Sequence, residues 1–260
     1  SRQPERPPFK GAKVSPRSQP QFISWLVPAL IVLITVATFF PSLSNGFVAW
    51  DDEQNIYENP HYRGLGWSQL QWMFTTFHLS LYRPLTWMTL GLDYLLWGMN
   101  PAGYHLSSLL LHCANAVLFY FIALRLLCLA APVAAASMPL RMAAGYSALT
   151  FSLHPLRVEP VAWLSARGDL LSGLFFLLAI LLYLRATAAE NVGPQRWGWM
   201  ASAVGVYGLS LLSKASAITL PFVLLALDVY PLKRLRSSPG GWFSREARRV
   251  GWEKAPFVVF

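Results

Sequence analysis

The residues from Phe22 to Phe40 run without a single charge, and Pro41 closes the stretch. A helix needs about 20 apolar residues to cross the hydrocarbon core of a bilayer. Further apolar runs follow at 104–131, 134–153, 169–184, 197–212 and 214–230. Residues 255–260 read as the start of a seventh. Charged residues make up only 13% of the chain, against about 25% in soluble domains. Backbone polar groups in lipid must be satisfied internally. Runs of this length therefore predict an all-α integral membrane protein, a polytopic helical bundle.

The flanks assign sides. Residues 1–21 are polar, with five prolines and five basic residues: Arg2, Arg6, Lys10, Lys13 and Arg17. That composition, with prolines at 4, 7, 8, 16 and 20, predicts a disordered tail on the cytoplasmic side. The first apolar run is too long for a signal-peptide core and has no small-residue cleavage site, so it reads as a retained anchor. Of the 21 lysines and arginines, all but Arg63, Arg83, Arg157, Arg167 and Lys214 then fall on the inner side. The positive-inside rule accounts for that asymmetry. It also removes the nucleic-acid reading of the net charge of +9, because the basic residues cluster at span ends.

Residues 42–101 form a long first outer loop. Within it, Tyr82–Pro101 is nearly long enough to span. Asp93 would then lie deep in lipid, at about 2.5–3.5 kcal/mol on insertion scales. A crossing there would also reverse every later loop and carry the basic cluster from Lys233 to Lys254 outside. An interfacial helix rich in Trp and Leu is expected instead. Cys113 and Cys128 fall in one predicted helix, roughly 22 Å apart at 1.5 Å per residue, and cannot pair with each other.

The candidate chemistry lies on the outer side. Asp51 and Asp52 follow the first span in FVAWDDEQNIYENP. Arg83 precedes a proline, His154, Arg157 and Arg167 belong to the corner HPLRVEPVAWLSARGD, and Lys214 opens the sixth span. Carboxylates and cations at one membrane face can activate a nucleophile and hold a phosphate. Plainer roles compete with that one. The acidic pair could be solvated or cap a short helix. Arg157 with Glu159, and Arg167 with Asp169, could be local ion pairs. Asp228 could pair with Lys233 or Arg234. His105 and His112, seven apart on one helical face, read as packing groups. No phosphate-binding loop and no Cys or His metal spacing occurs. The acidic pair is the one place that offers two carboxylates to a divalent cation. No inverted repeat points to a transporter.

Five segments carry a family resemblance. They are FVAWDDEQNIYENP, then YRPLTWMTLGLDYLLWGMNPAGYHLSSLLLHCANAVLFY, then HPLRVEPVAWLSARGDLLSGLFFLLAILLYLRA, then LSKASAITLPFVLLALDVYPLKR, and finally EKAPFVVF. Together they resemble the membrane half of the transmembrane and tetratricopeptide-repeat (TMTC) O-mannosyltransferases and their bacterial relatives, of the GT-C glycosyltransferase superfamily. The family's RPL element maps onto Arg83, Pro84 and Leu85. Its HPxxxE element maps onto His154, Pro155 and Glu159. Its GRAE or GRAD corner is ARGD here, Ala166 to Asp169. The animal members' Lys-Glu is Lys214-Ala215 here, so any role of that glutamate is lost.

The resemblance implies a GT-C-like bundle whose first outer loop supplies the base, Asp51 before Asp52. It implies a polyprenyl-phosphate sugar as donor, a Ser or Thr hydroxyl of an exported protein as acceptor, and no certain cofactor. Arg83, His154, Arg157, Arg167 and Lys214 would meet the donor phosphate. The expected location is the inner membrane, with the tail cytoplasmic and the acidic loop periplasmic. Bundles of this kind have more than six spans followed by repeats, so the chain reads as a fragment or a shortened relative. The competing role is a non-catalytic subunit that packs in a larger membrane complex.

Overall fold

The computed structural model describes residues 21–132, 137–188, 193–235 and 244–259. All of the expected tail at 1–21 except Gln21, and residues 236–243 with Arg236 of the basic loop, lie outside the described residues. Eleven helices are described: α1 (Gln21–Phe39), α2 (Trp67–Thr75), α3 (Pro84–Trp97), α4 (Pro101–Ala130), α5 (Met138–Ser152), α6 (Val158–Ala162), α7 (Arg167–Ala186), α8 (Gly193–Ser213), α9 (Leu220–Val229), α10 (Arg245–Trp252) and α11 (Ala255–Val258). Among the described residues the only extended pairing is an isolated bridge between His78 and Leu81.

Local chemistry sets several boundaries. Pro84 and Pro101 stand in the first turns of α3 and α4, where a missing N–H costs nothing and a fixed φ favours the helix. The Asn100 side chain accepts from Ala102 N at 3.1 Å and caps α4. Gly103 lies under the Trp97 ring, and a Cβ there would come within 2.2 Å of it. The corner between α3 and α4 therefore needs a bare backbone at that position. Gly91 does similar work, since its Cβ would lie 2.7 Å from Gly64 O and 2.8 Å from Tyr62 O. That close approach seats residues 62–64 on α3.

α7 packs along α8 and α4, and α4 packs against α5 and α1. One core, at the end away from the acidic loop, includes Tyr183, Tyr207, Leu220, Leu224 and Phe257. A second joins the loop to the bundle through Ile56, Tyr62, Trp87, Tyr104 and Leu164. Large apolar side chains also face outward, among them Leu33, Leu110, Met142, Tyr146 and Phe222. Three described helices are long and apolar enough to cross a membrane: Trp25–Ser44, Pro101–Ala130 and Leu164–Ala186. Outward apolar faces on helices of this length belong in lipid, and the chain is an all-α membrane protein.

Several segments differ from their expected bounds. The run at 134–153 holds a helix of 15 residues, Met138–Ser152. The run at 214–230 is broken. Lys214 is extended at φ −161°, Ala215–Thr219 form a 3₁₀ turn, and α9 begins only at Leu220. Pro221 stands in the first turn of α9, a position proline favours. Within residues 42–101, α2 packs on α3, and α3 packs on α4. The expected interfacial piece forms α3, with Asp93 buried on its inward face.

At the end away from the acidic loop, charges from α8, α9, the turn after α9 and the turn between α10 and α11 meet inside the protein. Asp228 is fully buried and accepts from Tyr183 Oη at 2.7 Å, from Arg234 Nη1 at 3.0 Å and from Lys254 Nζ at 2.5 Å. Glu253 accepts from Arg234 Nη2 at 2.5 Å and from Arg196. Lys254, rather than Lys233, joins Arg234 around Asp228.

Candidate functional site

The acidic pair is divided by helical geometry. Residues 51–57 continue from a helical turn into a π-type turn at Glu53–Tyr57. Helical spacing puts Asp52, Asn55 and Ile56 on one side and turns Asp51 about 100° away. Asp52, Asn55 and Ile56 are buried, whereas Asp51 is half-buried and Glu53 and Gln54 are exposed.

Asp52 is a structural tie. Its Oδ1 accepts from Ser165 N at 2.8 Å and from Ser165 Oγ at 2.6 Å, and its Oδ2 accepts from Val48 N at 3.1 Å. Asn55 Nδ2 donates to the same Ser165 hydroxyl at 3.1 Å. Asn55 Oδ1 in turn accepts from Arg83 Nη2 at 3.0 Å, and Arg83 Nη1 donates to Ser165 O at 3.1 Å. Ser165 thus binds the acidic motif and the RPL element to the corner before α7. With Asp52 enclosed, only Asp51 of the pair presents a carboxylate to solvent or substrate. Among the described residues no group of three His, Cys, Asp or Glu is placed to hold a metal.

Arg83 is held between opposing influences. Burial favours its neutral form, and the charges of Asp51 and Asp169 oppose that loss. Its guanidinium lies over the Trp87 ring at 4.9 Å. Its Nε is buried and has no hydrogen-bond partner, an uncommon state for a buried donor. Arg157 has a related environment. It lies 4.3 Å over the Phe151 ring, burial again weakens its charged form, and Asp169 opposes that effect in part. Lys214 Nζ contacts both oxygens of Asp169 at 2.7 Å, in a pair that keeps 43% and 37% side-chain exposure. Asp169 is therefore the shared counter-charge of Arg83, Arg157 and Lys214.

Arg167 departs from its expected place with this group. It is fully buried. Its Nη1 pairs with Asp93 Oδ2 at 2.7 Å, Nε donates to Ser108 Oγ at 2.9 Å, and Nη2 donates to Tyr104 O at 2.7 Å. Every arm of its fork is committed inside the protein, so it pins α7 to α3 and α4. The expected local pair of Arg167 with Asp169 does not form, because the two face different sides of the first turn of α7. His154 is exposed, and its Nδ1 accepts from Leu156 N at 3.3 Å. It caps the 3₁₀ turn Pro155–Arg157. His112, expected as a packing group, contacts Ser152 O at 2.9 Å and packs edge-on to Phe39.

Arg157 and Asp169 stand on the wall of a cleft of about 250 Å³. The rest of its lining is mostly apolar, including Phe119, Phe176 and Leu177, with His112 and Asn115 as polar exceptions. A charged patch thus adjoins an apolar slot, an arrangement that suits an amphiphile with an anionic head.

Ser165 and Asn55 carry no signal of their own in the sequence, Asp169 reads there only as a local partner of Arg167, and Asp93 only as a bar to a crossing helix. Asn55 lay inside the acidic motif at helical spacing from Asp52. Asp93, a lone charge in an apolar helix, called for a buried partner.

The fold and this end of it define a polytopic helical membrane protein with a cation-lined, carboxylate-bearing face. Human protein O-mannosyl-transferase TMTC2 is 31% identical over 159 residues, 60% of this chain and 17% of the relative. Human TMTC3 is 30% identical over 212 residues, covering 77% of this chain and 21% of the relative. Human TMTC1 is 30% identical over 246 residues, covering 86% and 26% respectively. The matched region spans about a sixth to a quarter of the length of these curated relatives. No protein-family model matches the chain, and no solved structure matches it.

Proposed function

We propose that the chain is the donor-binding and base-bearing part of a GT-C-type glycosyltransferase, which moves a mannose-like sugar from a polyprenyl phosphate to a Ser or Thr hydroxyl of an exported protein. The relatives' names support a sugar transfer to protein. The observation that carries the reading is Arg83, a half-buried arginine whose Nε is enclosed and unpartnered and which feels the charge of the half-buried Asp51. An incoming phosphate would supply the acceptor that the Nε of Arg83 lacks.

In this reading Asp51 takes the proton from the acceptor hydroxyl. The oxygen attacks the anomeric carbon, the bond from that carbon to the phosphate oxygen breaks, and polyprenyl phosphate leaves with the electron pair. Arg83, Arg157 and Lys214 meet its charge, and the slot along Phe119, Phe176 and Leu177 takes the start of the polyprenyl chain. Asp52 holds Asp51 and Arg83 in register through Ser165 and Asn55. A positioned base contributes about 10²–10⁴-fold, and charge stabilisation at the leaving group about 10²–10³-fold per donor. The bundle sits in the inner membrane with the tail cytoplasmic and the Asp51 loop outside. The test is Asp51→Asn in the full protein, with glycan occupancy of exported proteins read by mass spectrometry. Occupancy should collapse while the protein stays folded. Unchanged occupancy would overturn the assignment of the base.

A further inference from the structure

The helix α10 (Arg245–Trp252) lies at the end of the bundle away from Asp51, where the proposed chemistry makes no use of it. Ser244 caps it by accepting from Ala247 N at 3.0 Å. At 100° per residue, Arg245, Arg248, Arg249 and Trp252 fall within about 100° of arc. All four are exposed, Trp252 by 77%. Ala247 and Val250 fall on the opposite side and pack with Leu225, Val229 and Leu235. The C-terminal end of the helix is clamped as well. Glu253 accepts from Arg234 Nη2 at 2.5 Å, Lys254 Nζ contacts Asp228 Oδ2 at 2.5 Å, and Phe257 is buried in the core with Tyr183. These contacts fix which face α10 turns outward, a stripe of three arginines with a tryptophan at its end. The helix holds one acid, Glu246, and residues 236–243 add an arginine and no acid to the sequence.

We propose that α10 is a docking surface for the anionic headgroups of the adjoining membrane leaflet, with lipid phosphates at Arg245, Arg248 and Arg249 and the Trp252 ring at headgroup depth. Arginine forks match phosphate oxygens, and basic residues beside a membrane are drawn to an anionic lipid surface. A basic helix by itself would suit an acidic protein or a nucleic acid equally well. Position and Trp252 select lipid. The chain turns apolar again three residues past Trp252, at Ala255–Val258. The preceding helix, α9, carries an outward Phe222 and ends beside an exposed Tyr230. A helix joined on both sides to apolar elements lies within reach of the headgroups, where exposed tryptophan and tyrosine belong. A membrane-inserted amphipathic helix buries its apolar face in lipid. The apolar face of α10 is instead taken up by the protein, so its hold on the leaflet is electrostatic. Positive-inside topology asks only for basic residues in such a loop. It does not ask that they share one face, or that buried ion pairs hold that face in place. The assignment is independent of the sugar-transfer reading.

The test places a photoreactive phenylalanine analogue at Trp252 or, as a reference, at the outward-facing Leu33 of α1. The full protein is held in nanodiscs of equal parts phosphatidylglycerol and phosphatidylcholine, and adducts are read by mass spectrometry. The ratio of phosphatidylglycerol to phosphatidylcholine adducts at position 252 should exceed that at position 33 by about fivefold or more at low salt, since one arginine near an anionic surface attracts it by about that factor. Raising the ionic strength should shrink the difference. Arg245→Gln with Arg248→Gln and Arg249→Gln should make the two positions alike. Equal ratios with the arginines intact overturn the proposal, as does an enrichment that survives high salt or the glutamine substitutions. Adducts to protein or nucleic acid in place of lipid at position 252 overturn it too, and assign the stripe to a partner of that kind. The salt series with the arginines intact stands even if the glutamine variant fails to fold, and no readout depends on sugar transfer.

Discussion

Arg167 and Asp93 meet at 2.7 Å inside the bundle, with side chains 1% and 4% exposed. They belong to α7 and α3, and Ser107 Oγ donates to the same aspartate at 2.6 Å from α4. Three helices are thus joined through one buried carboxylate. Burial pushes the Asp93 carboxyl up, and the facing guanidinium pulls it back.

Removing one partner of this pair should be costly. Arg167→Ala strands Asp93 without its counter-charge, and a broken buried pair costs about 3–5 kcal/mol. The Tm of the purified protein should fall sharply. Replacing both residues, Arg167→Met with Asp93→Leu, should recover much of the loss, because the desolvation of two charges is removed as well. A double replacement no better than Arg167→Ala would refute a mainly electrostatic role.

Ser165→Ala should uncouple the two halves of the acidic motif's support. It removes the hydroxyl that donates to Asp52 and accepts from Asn55, while the backbone N–H to Asp52 remains. Loss of a buried partner costs about 1–3 kcal/mol. Thermal unfolding should register that loss, and Asp51→Asn should leave the Tm nearly unchanged. A Tm equally depressed in Asp51→Asn would mean that Asp51 is also a scaffold residue.

Lys214→Ala separates stability from activity. Its ion pair with Asp169 is more than a third exposed, and such pairs contribute about 0.2–1 kcal/mol. The Tm should hardly move. Sugar transfer should drop at least tenfold if Lys214 meets the leaving phosphate. Wild-type transfer by this variant would remove Lys214 from the site.

His78 should give the loop a pH response. The ring packs edge-on against Trp72 and Trp87, and burial holds its pKa below the usual 6.5. The unfolded chain then binds the proton more readily than the folded one. Stability from this group is present above about pH 6.5 and is lost as pH falls below that value. Comparison of Tm between pH 7.5 and pH 5.5 should show a smaller drop in His78→Phe than in the unaltered protein. Identical drops would show that His78 does not contribute.

Much of the architecture was legible because lipid imposes a simple grammar. Charge-free length located α1, α4 and α7, and proline marked where α3 and α4 begin. The break at Lys214 was hidden, since an apolar run of suitable length carries no mark of a 3₁₀ turn within it. The candidate site was legible only in its list of outward-side charges. Asp51, Arg83, Arg157 and Lys214 could be gathered by side and by family resemblance. The commitment of Asp52 to Ser165, and of Arg167 to Asp93, could not be read, because each depends on a contact between distant parts of the chain. Adjacent residues of like chemistry, Asp51 and Asp52, take opposite environments for the plain reason that a helical turn separates their directions.

The bond between Asp52 and Ser165 joins positions 113 residues apart, and it sets an order of assembly. A ribosome that has exposed the first loop has not yet made the corner that completes it. Until the start of α7 arrives, Asp52 has no partner at Ser165 and Arg83 has no anchor on that corner. The acidic motif of a growing chain therefore waits, unfinished, for a later helix to reach the membrane, and any quality control that senses unpaired charge would find its signal there.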